Sequence, residues 1–287
     1  MRKQVLIFGA IILGLTRCLW AGDLRVPQKA VVNTAVAVGT QGEGSGTLYL
    51  IGPALCFKHA VRLGETVQLT PEDVRTAGVY TAILRSDGNV VSRSFVVSPG
   101  PVERMSFLAQ PSRVPANARD VITGTVFVLD RRDNLVLAPV PVDFTLTAED
   151  SPIIHRTVDA HEGVAWTRMD SSRRSGNAQF TATSGEASVK RIVQQVAAEP
   201  CNLRFHARPA KAAILVETDP VRDCAGNAVP DGMIVTFTDL DPLGKSTVDA
   251  VVKKGIAHAL LPAAPRATIS VAAGVVVGNE IHWEGGQ

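Results

Sequence analysis

The segments 130–134 (DRRDN) and 223–227 (DCAGN) each begin with aspartate and end with asparagine, and they lie 93 residues apart. The first runs from Asp130 to Asn134 and the second from Asp223 to Asn227. Aspartate and asparagine side chains bond nearby backbone groups and tolerate positive φ, so the pattern predicts a tight turn. Each turn leads at the same distance into an alternating segment, VDF at 142–144 and VTF at 235–237. The sequence therefore predicts two copies of one folding unit.

Further landmarks repeat in the same order on both sides of these turns. An F-x-A-x-P pattern occurs at 107–111 and at 205–209, and GVA at 163–165 matches GIA at 255–257. Apolar residues alternate with polar ones in period 2, which indicates half-buried strands, and no 12-residue window has a helical stripe. In the first copy the predicted strands are 121–129, 140–146, 164–169, 178–183 and 188–195. Many short strands separated by turns predict an all-β fold of immunoglobulin-like (Ig-like) sandwiches in tandem.

The part of the chain before the repeats also has a sequence feature that is typical of Ig-like sandwiches, although it lacks the repeated motifs. Tyr80 lies in the segment 77–82 (AGVYTA) shortly after a turn at 71–73. This placement is typical of the tyrosine corner of Ig-like domains, where the hydroxyl bonds backbone a few residues upstream. We predict a structural role for Tyr80 and no disulfide between the sheets, because Ala82 stands where antibody-type domains have a cysteine.

The N-terminus has the three parts of a secretory signal peptide. Two basic residues, Arg2 and Lys3, precede an apolar run at 5–15, and Ala21 offers a small residue for cleavage. An uncleaved anchor and a lipoprotein signal at Cys18 are alternatives, although Arg17 fits both badly. We predict a signal peptide at 1–21, domains at 22–99, 100–198 and 199–287, and export to the periplasm, the cell surface or the medium. No second run is long enough to span a bilayer, so the mature chain has no predicted transmembrane segment.

Charge and motifs exclude several functions. The chain has 29 Lys and Arg against 27 Asp and Glu, without a basic cluster, which argues against a nucleic-acid partner. No nucleophile elbow, cysteine–histidine pair or paired carboxylates stand out, and the glycine-rich segment 39–46 runs into a strand rather than a helix. We therefore predict a protein that is not an enzyme and that uses no cofactor.

Three groups of residues contain possible metal ligands, and none of them is predicted to form a metal site. His155 and His161 lack the further ligands of a zinc site. The segment 239–244 (DLDPLG) is similar to the start of a calcium loop but has Ala250 at the twelfth position, so a solvated turn is favoured. Asp130, Asp133 and Asp223 could hold calcium between domains, but Asx turns explain them equally well.

The repeated landmarks resemble the bacterial Ig-like repeats of the invasin/intimin type, over about residues 103–195 and 203–282. The resemblance implies sandwich repeats that act as rigid spacers and project a tip from the cell surface. On this fold, 203–208 and 213–218 are antiparallel neighbours, which brings Cys201 and Cys224 together for a disulfide in an oxidising compartment. Cys56, between apolar residues, is predicted to be a buried small hydrophobe.

Aromatic residues limit the binding functions that we expect. Trp166 is predicted to lie in the core, and Trp283 is the one aromatic residue that could serve a surface, although a terminal strand favours a role at the sandwich edge. Few exposed aromatics favour protein contacts over carbohydrate binding. We predict a structural spacer or adhesion module at the cell envelope with an unknown protein partner. The alternative is a periplasmic binding or assembly subunit that holds a protein or glycan partner in an interdomain groove.

Overall fold

A computed structural model describes residues 22–285, which form strands and turns and contain no helix. The predicted signal peptide and Cys18 lie outside these residues. The chain divides into two compact units, Met1–Gly100 and Pro101–Gln287.

The first unit is one sandwich of eight strands, here called the first sandwich. Its sheets have the strand orders β1-β3-β6 and β2-β8-β7-β4-β5, and the short strand β2 pairs in parallel with β8. The strands are β1 (Asp23–Arg25), β2 (Lys29–Val31), β3 (Val36–Gln41), β4 (Ser45–Gly52), β5 (Leu55–Arg62), β6 (Thr66–Leu69), β7 (Gly78–Ser86) and β8 (Asn89–Ser98).

The second unit begins with a sandwich of the same design, here called the second sandwich. Its sheets have the orders β14-β11-β9 and β10-β16-β15-β12-β13, and β10 pairs in parallel with β16. The strands are β9 (Arg104–Gln110), β10 (Arg113–Pro115), β11 (Ile122–Leu129), β12 (Val140–Ala148), β13 (Ile154–Ala160), β14 (Val164–Met169), β15 (Gly176–Ser184) and β16 (Ala187–Val196).

The second unit ends with the third sandwich. Its two main sheets have the orders β18-β19-β23 and β22-β21-β24-β25, and a short pair, β17-β20, lies at its start. The strands are β17 (Pro200–Cys201), β18 (Phe205–Ala210), β19 (Ala213–Thr218), β20 (Arg222–Asp223), β21 (Ile234–Asp241), β22 (Gly244–Val251), β23 (His258–Pro262), β24 (Arg266–Ala273) and β25 (Val276–Glu284).

The repeat found in the sequence is a repeat of backbone conformation. Before β14, Glu162 and Gly163 have φ of 51° and 82°, and before β23 the matching Lys254 and Gly255 have φ of 52° and 82°. Two central residues with positive φ form the tight turn whose twist suits a hairpin. The GVA and GIA landmarks therefore mark the same turn in both copies.

Each sandwich buries its own set of apolar side chains between its sheets. In the second sandwich Phe107, Phe144 and Phe180 pack against one another, with ring centroids 5.0–6.0 Å apart. In the third sandwich Phe205 and Phe237 pack edge to face at 5.6 Å. Aromatic pairs at these distances add to the stabilisation from burial. The predicted fold class, tandem Ig-like β-sandwiches, is confirmed.

Candidate functional site at the joint of the second and third sandwiches

The turn at 130–134 is built around the buried carboxylate of Asp130. Its Oδ1 accepts hydrogen bonds from the backbone N–H groups of Arg132 (2.8 Å) and Asn134 (3.0 Å). The Asn134 side chain donates to both oxygens of the same carboxylate, at 3.2 and 3.0 Å. Asp133 has a φ of 63°, so the fourth position of the turn is left-handed.

The turn at 223–227 repeats this geometry. Oδ1 of Asp223 accepts from the backbone N–H groups of Ala225 (2.9 Å) and Asn227 (2.8 Å), and the Asn227 amide donates to Oδ2 at 2.9 Å. Gly226 takes the left-handed fourth position with a φ of 88°. Aspartate and glycine both tolerate this conformation, which explains why the two sequences differ there. In both turns the aspartate carboxylate accepts from the backbone two and four residues ahead, and the asparagine side chain bonds that carboxylate.

The second turn also reaches out of its own sandwich. The Asn227 side chain accepts a hydrogen bond from the backbone N–H of Ser175 and donates one to the carbonyl of Arg173, both at 2.9 Å. Oδ2 of Asp223 accepts from the backbone N–H of Ala198 at 3.1 Å. Arg173 and Ser175 lie in the loop between β14 and β15 of the second sandwich, and Ala198 lies in the linker. One turn therefore binds the second sandwich, the linker and itself. We call this arrangement the joint.

The loop that receives Asn227 is itself held in place. Oγ of Ser171 accepts from the backbone N–H of Ala118 (2.9 Å) and donates to the carbonyl of Pro115 (2.7 Å). The buried Gln195 side chain bonds both the backbone N–H and the hydroxyl of Ser172. The joint consequently connects the third sandwich to a fixed part of the second.

A disulfide between Cys201 and Cys224 holds the turn from the other side. Cys224 follows Asp223 directly, and Cys201 lies on β17, which pairs with β20 and follows the linker. The predicted pairing is present. It connects the turn covalently to the segment that enters the third sandwich.

Hydrogen bonding lowers the pKa of Asp223. Burial alone raises the pKa of this carboxyl, but the hydrogen bonds from the side chain and backbone of Asn227 and from the backbone of Ala198 and Ala225 outweigh it. Each of these donors favours the ionised form. The contribution of Asp223 to stability is therefore present above its unfolded pKa and is lost as the pH falls through the folded pKa.

Tyr80 lies on β7 in the first unit. Its side chain is fully buried and stacks on Phe95, and its hydroxyl donates to the carbonyl of Thr76 at 2.9 Å. Burial raises the pKa of the Tyr80 hydroxyl. Tyr80 therefore stabilises one end of the first sandwich.

No protein-family model matches the sequence, and no curated protein matches it. Solved structures do. The chain is similar to FdeC, an Escherichia coli adhesin, with a TM-score of 0.65 at 14% identity, over 92% of this chain and 96% of that chain. It is similar to InvD of Yersinia pseudotuberculosis, with a TM-score of 0.51 at 14% identity, over 91% of this chain and 96% of that chain.

A third similar structure is that of invasin, a bacterial integrin-binding protein, with a TM-score of 0.50 at 14% identity. This match covers 90% of the present chain and 57% of the invasin chain. The chain has the fold of bacterial adhesin Ig-like tandems. The resemblance noted in the sequence is thereby confirmed at the level of fold. Within residues 22–285, no helix has the length and apolarity that crossing a membrane requires.

Two expectations about side chains of this chain are wrong. Trp166 is 60% exposed on β14, because Ala165, Thr167 and Met169 are the residues that face the core. Cys56 is exposed as well: it pairs with Ile51 on the outward face of β4 and β5, while Leu55 and Phe57 pack against the core. In both strands successive side chains point to opposite faces, so an apolar residue can face solvent even in an apolar segment.

Trp283 lies where a terminal strand residue is expected. It is half-buried on β25, packs against the core of the third sandwich, and donates from Nε1 to the carbonyl of Ala264 at 3.2 Å. Of these two tryptophans, Trp166 rather than Trp283 is therefore exposed on a surface.

The segment 239–244 is only in part the solvated turn that we expected. Oδ1 of Asp241 caps the turn by accepting from the backbone N–H groups of Leu243 (2.7 Å) and Gly244 (2.8 Å). Asp239, in contrast, is 2% exposed and lies on β21 in line with Phe237. Its Oδ1 and the hydroxyl of Ser246, its partner across the strands, have no hydrogen-bond partner.

Burial raises the pKa of Asp239, and the negative charge of Asp241 raises it further. Both effects disfavour the ionised form. In the second sandwich the equivalent position, 93 residues earlier, is the buried Leu146. Asp239 is therefore a polar residue at a core position of the fold.

The residues considered as metal ligands in the sequence have too few further ligands near them in the described chain. In the described part of the chain, no group of three or more His, Cys, Asp and Glu side chains could hold a metal ion. His155 lies 3.5 Å from Asp143 on the exposed face of β13 and β12. His161 forms a bridge to Val164 at the hairpin turn.

Proposed function

We propose that this chain is an exported, non-catalytic tandem of Ig-like domains that acts as a rigid spacer in an adhesion or interaction module at the cell envelope. Its signal peptide is 1–21, and its domains are 22–99, 100–198 and 199–287. It works without a cofactor, through contacts with protein partners. The observation that carries the proposal is the joint, in which Asn227 bonds the main chain of the preceding sandwich.

A rigid joint is the property that a spacer needs. Domains joined by short linkers move relative to each other unless their interface restrains them. Here the restraint consists of the two hydrogen bonds between the Asn227 side chain and the loop of the second sandwich, and of the charge-assisted hydrogen bond that Asp223 accepts from the linker. The Cys201–Cys224 disulfide adds a covalent restraint. Similarity to FdeC over nearly the whole of both chains supports the same reading, because FdeC is an adhesin with this fold.

Replacing Asn227 by alanine is expected to loosen the joint. The change removes the bonds to Ser175, Arg173 and Asp223, each worth roughly 0.5–1.5 kcal/mol. Residual dipolar couplings of the full chain measure the result: one alignment tensor fits the second and third sandwiches in the wild type, and two are needed in Asn227→Ala. The matched control is Asn177→Ala, since Asn177 is an exposed asparagine on β15 close to the joint. Two tensors in the wild type would contradict the spacer proposal, and a single tensor in Asn227→Ala would contradict the role of Asn227 in the joint.

Location is tested by protease treatment of intact cells. We expect loss of the third sandwich, detected by antibody, while a periplasmic control protein survives. The Cys201–Cys224 disulfide supports export, because such bonds persist in oxidising compartments. Protection of the third sandwich until the envelope is opened would contradict a surface position and favour the periplasmic assembly subunit instead.

A further inference from the structure

The outward face of the sheet β14-β11-β9 carries large apolar side chains in water. Trp166 is 60% exposed, Leu108 50% and Phe127 41%. We call these three residues the apolar face. Isolated exposed apolar residues are ordinary, but a contiguous group that includes a tryptophan marks a contact surface.

The strand register makes these residues contiguous. Thr125 on the central strand β11 pairs with Leu108 on β9 and with Trp166 on β14. Leu108, Thr125 and Trp166 therefore form one row across the sheet. Phe127 lies two residues along β11 and is therefore diagonal to both neighbours. Directly paired side chains on one face lie about 4.5–5.5 Å apart and diagonal ones about 7–8 Å, within reach of aromatic rings.

The third sandwich shows that the fold does not require an apolar face here. The equivalent row consists of His206, Glu217 and His258, which pair across β18, β19 and β23 in the same register. The position equivalent to Phe127 is Asp219, which accepts a hydrogen bond from His206 at 2.8 Å. At these four positions the same backbone carries polar and charged side chains in the third sandwich and mainly apolar ones in the second, although Leu260, on the outward face of β23, is also 60% exposed. Folding therefore does not require apolar side chains at the positions of Trp166, Leu108 and Phe127.

Charge at one end of the apolar face is positive and unpaired. Arg168 follows Trp166 on the same face of β14, and Arg156 reaches the carbonyl of Arg168 at 2.9 Å. Neither guanidinium group forms an ion pair with a carboxylate of residues 22–285. Asp170, which follows β14 directly, accepts a hydrogen bond from the backbone N–H of Asp120 at 2.8 Å. At the other end, Arg104 is paired with Asp133 at 2.6 Å.

The size of the apolar face favours a short segment over a whole domain. Three side chains that are about half exposed supply less than half of the roughly 800 Å² that each partner contributes to a stable protein–protein interface. A second copy of this chain would also bring its own unpaired arginines against those already present. Both arguments favour a small anionic partner.

We propose that the apolar face binds a protein segment that presents an apolar or aromatic side chain flanked by carboxylates. The apolar side chain packs on Trp166, Leu108 and Phe127, and the carboxylates pair with Arg168 and Arg156. This deepens the proposed interaction role and rests on it, because it names the surface and the chemistry of the partner.

The test is selection from a displayed library of random short peptides on the full chain, with counter-selection on Trp166→Ser. Enriched peptides should carry net negative charge and at least one Trp, Phe or Leu. In NMR titrations with the enriched peptides, the indole signal of Trp166 should shift and that of Trp283 should not. Since Trp166 is largely exposed, Trp166→Ser keeps the fold and should weaken binding about tenfold or more.

Three further variants sharpen the result. Arg168→Glu should weaken the binding of acidic peptides and allow basic peptides to bind. His258→Ser changes the position of the third sandwich that is equivalent to Trp166, and this variant should bind the peptides like the wild type. Asn227→Ala should also bind normally, so that failure of this proposal is distinguishable from failure of the spacer proposal. Enrichment of neutral or basic peptides, or binding that survives Trp166→Ser, would overturn the inference. So would dimerisation of the chain, or binding to glycans, that depends on Trp166.

Discussion

Replacement of Asp239 by leucine is expected to stabilise the third sandwich by about 1–3 kcal/mol, the cost of a buried polar atom without a partner. Asp239 faces the core in line with Phe237, and its Oδ1 has no hydrogen-bond partner. The second sandwich already carries Leu146 at this position, so the fold accommodates the side chain. Chemical denaturation followed by hydrogen exchange in peptides of the third sandwich measures the gain.

The same residue predicts a pH dependence. Because the pKa of Asp239 is raised above its unfolded value near 3.8, the folded state holds the proton more tightly than the unfolded state. Stability from this group is fully present below the unfolded pKa and is lost as the pH rises through the folded pKa. The wild type should therefore lose stability relative to Asp239→Leu as the pH rises above the unfolded pKa and through the raised folded pKa. Subtracting the two profiles removes the opposite contribution of Asp223, whose pKa is lowered.

Asp239→Asn is the control that separates charge from polarity. It should abolish the difference in pH dependence but recover only part of the stability, because an amide at this position still lacks partners. If Asp239→Leu unfolded more readily than the wild type at neutral pH, the carboxylate would have a partner in solution, and our account of this position would be wrong.

Removal of the Cys201–Cys224 disulfide is expected to cost about 3 kcal/mol, the loop-closure value for cysteines 23 residues apart. The double variant Cys201→Ala/Cys224→Ala should exchange amide hydrogens faster in the third sandwich. The second sandwich, which has no cysteine, should keep its protection. Exchange of the full chain, analysed by peptide, measures both at once.

Reduction of the wild type provides an independent measurement, since it opens the same bond without a substitution. Cys56→Ala is the matched control, because Cys56 is exposed and unpaired in the described chain. Equal protection of the third sandwich in the oxidised, reduced and double-variant proteins would show that the bond contributes nothing to stability.

Local chemistry made the turns and the disulfide predictable from sequence. Asp130 and Asp223 bond the backbone two and four residues ahead, a pattern that depends only on the segment itself. The disulfide followed from strand order, because Cys201 and Cys224 flank two strands that must be antiparallel neighbours. The joint could not be predicted, because Asn227 bonds backbone atoms at Arg173 and Ser175, and backbone atoms leave no signal in a sequence.

At two positions where the prediction is wrong, the alternation of inward and outward residues along the strand decides where the side chain lies. The size or polarity of the side chain does not. In 164–169 the residues facing inward include Ala165 and Thr167, so the large Trp166 was placed in the core by size rather than by alternation. Asp239 was the reverse case. Counting by two from Phe237 places it inward, but its resemblance to a turn residue placed it in solvent.

The choice of backbone atoms as acceptor and donor at the joint has a consequence for how such chains diversify. Asn227 makes no use of the side chains of Arg173 and Ser175, so those positions are free to vary without loosening the connection. We expect a module that keeps the Asx turn to dock on a preceding sandwich whose loop backbone has the same conformation. The joint thus depends on the backbone conformation of the second sandwich rather than on its side chains, and the chemistry of the outward faces can change independently of it.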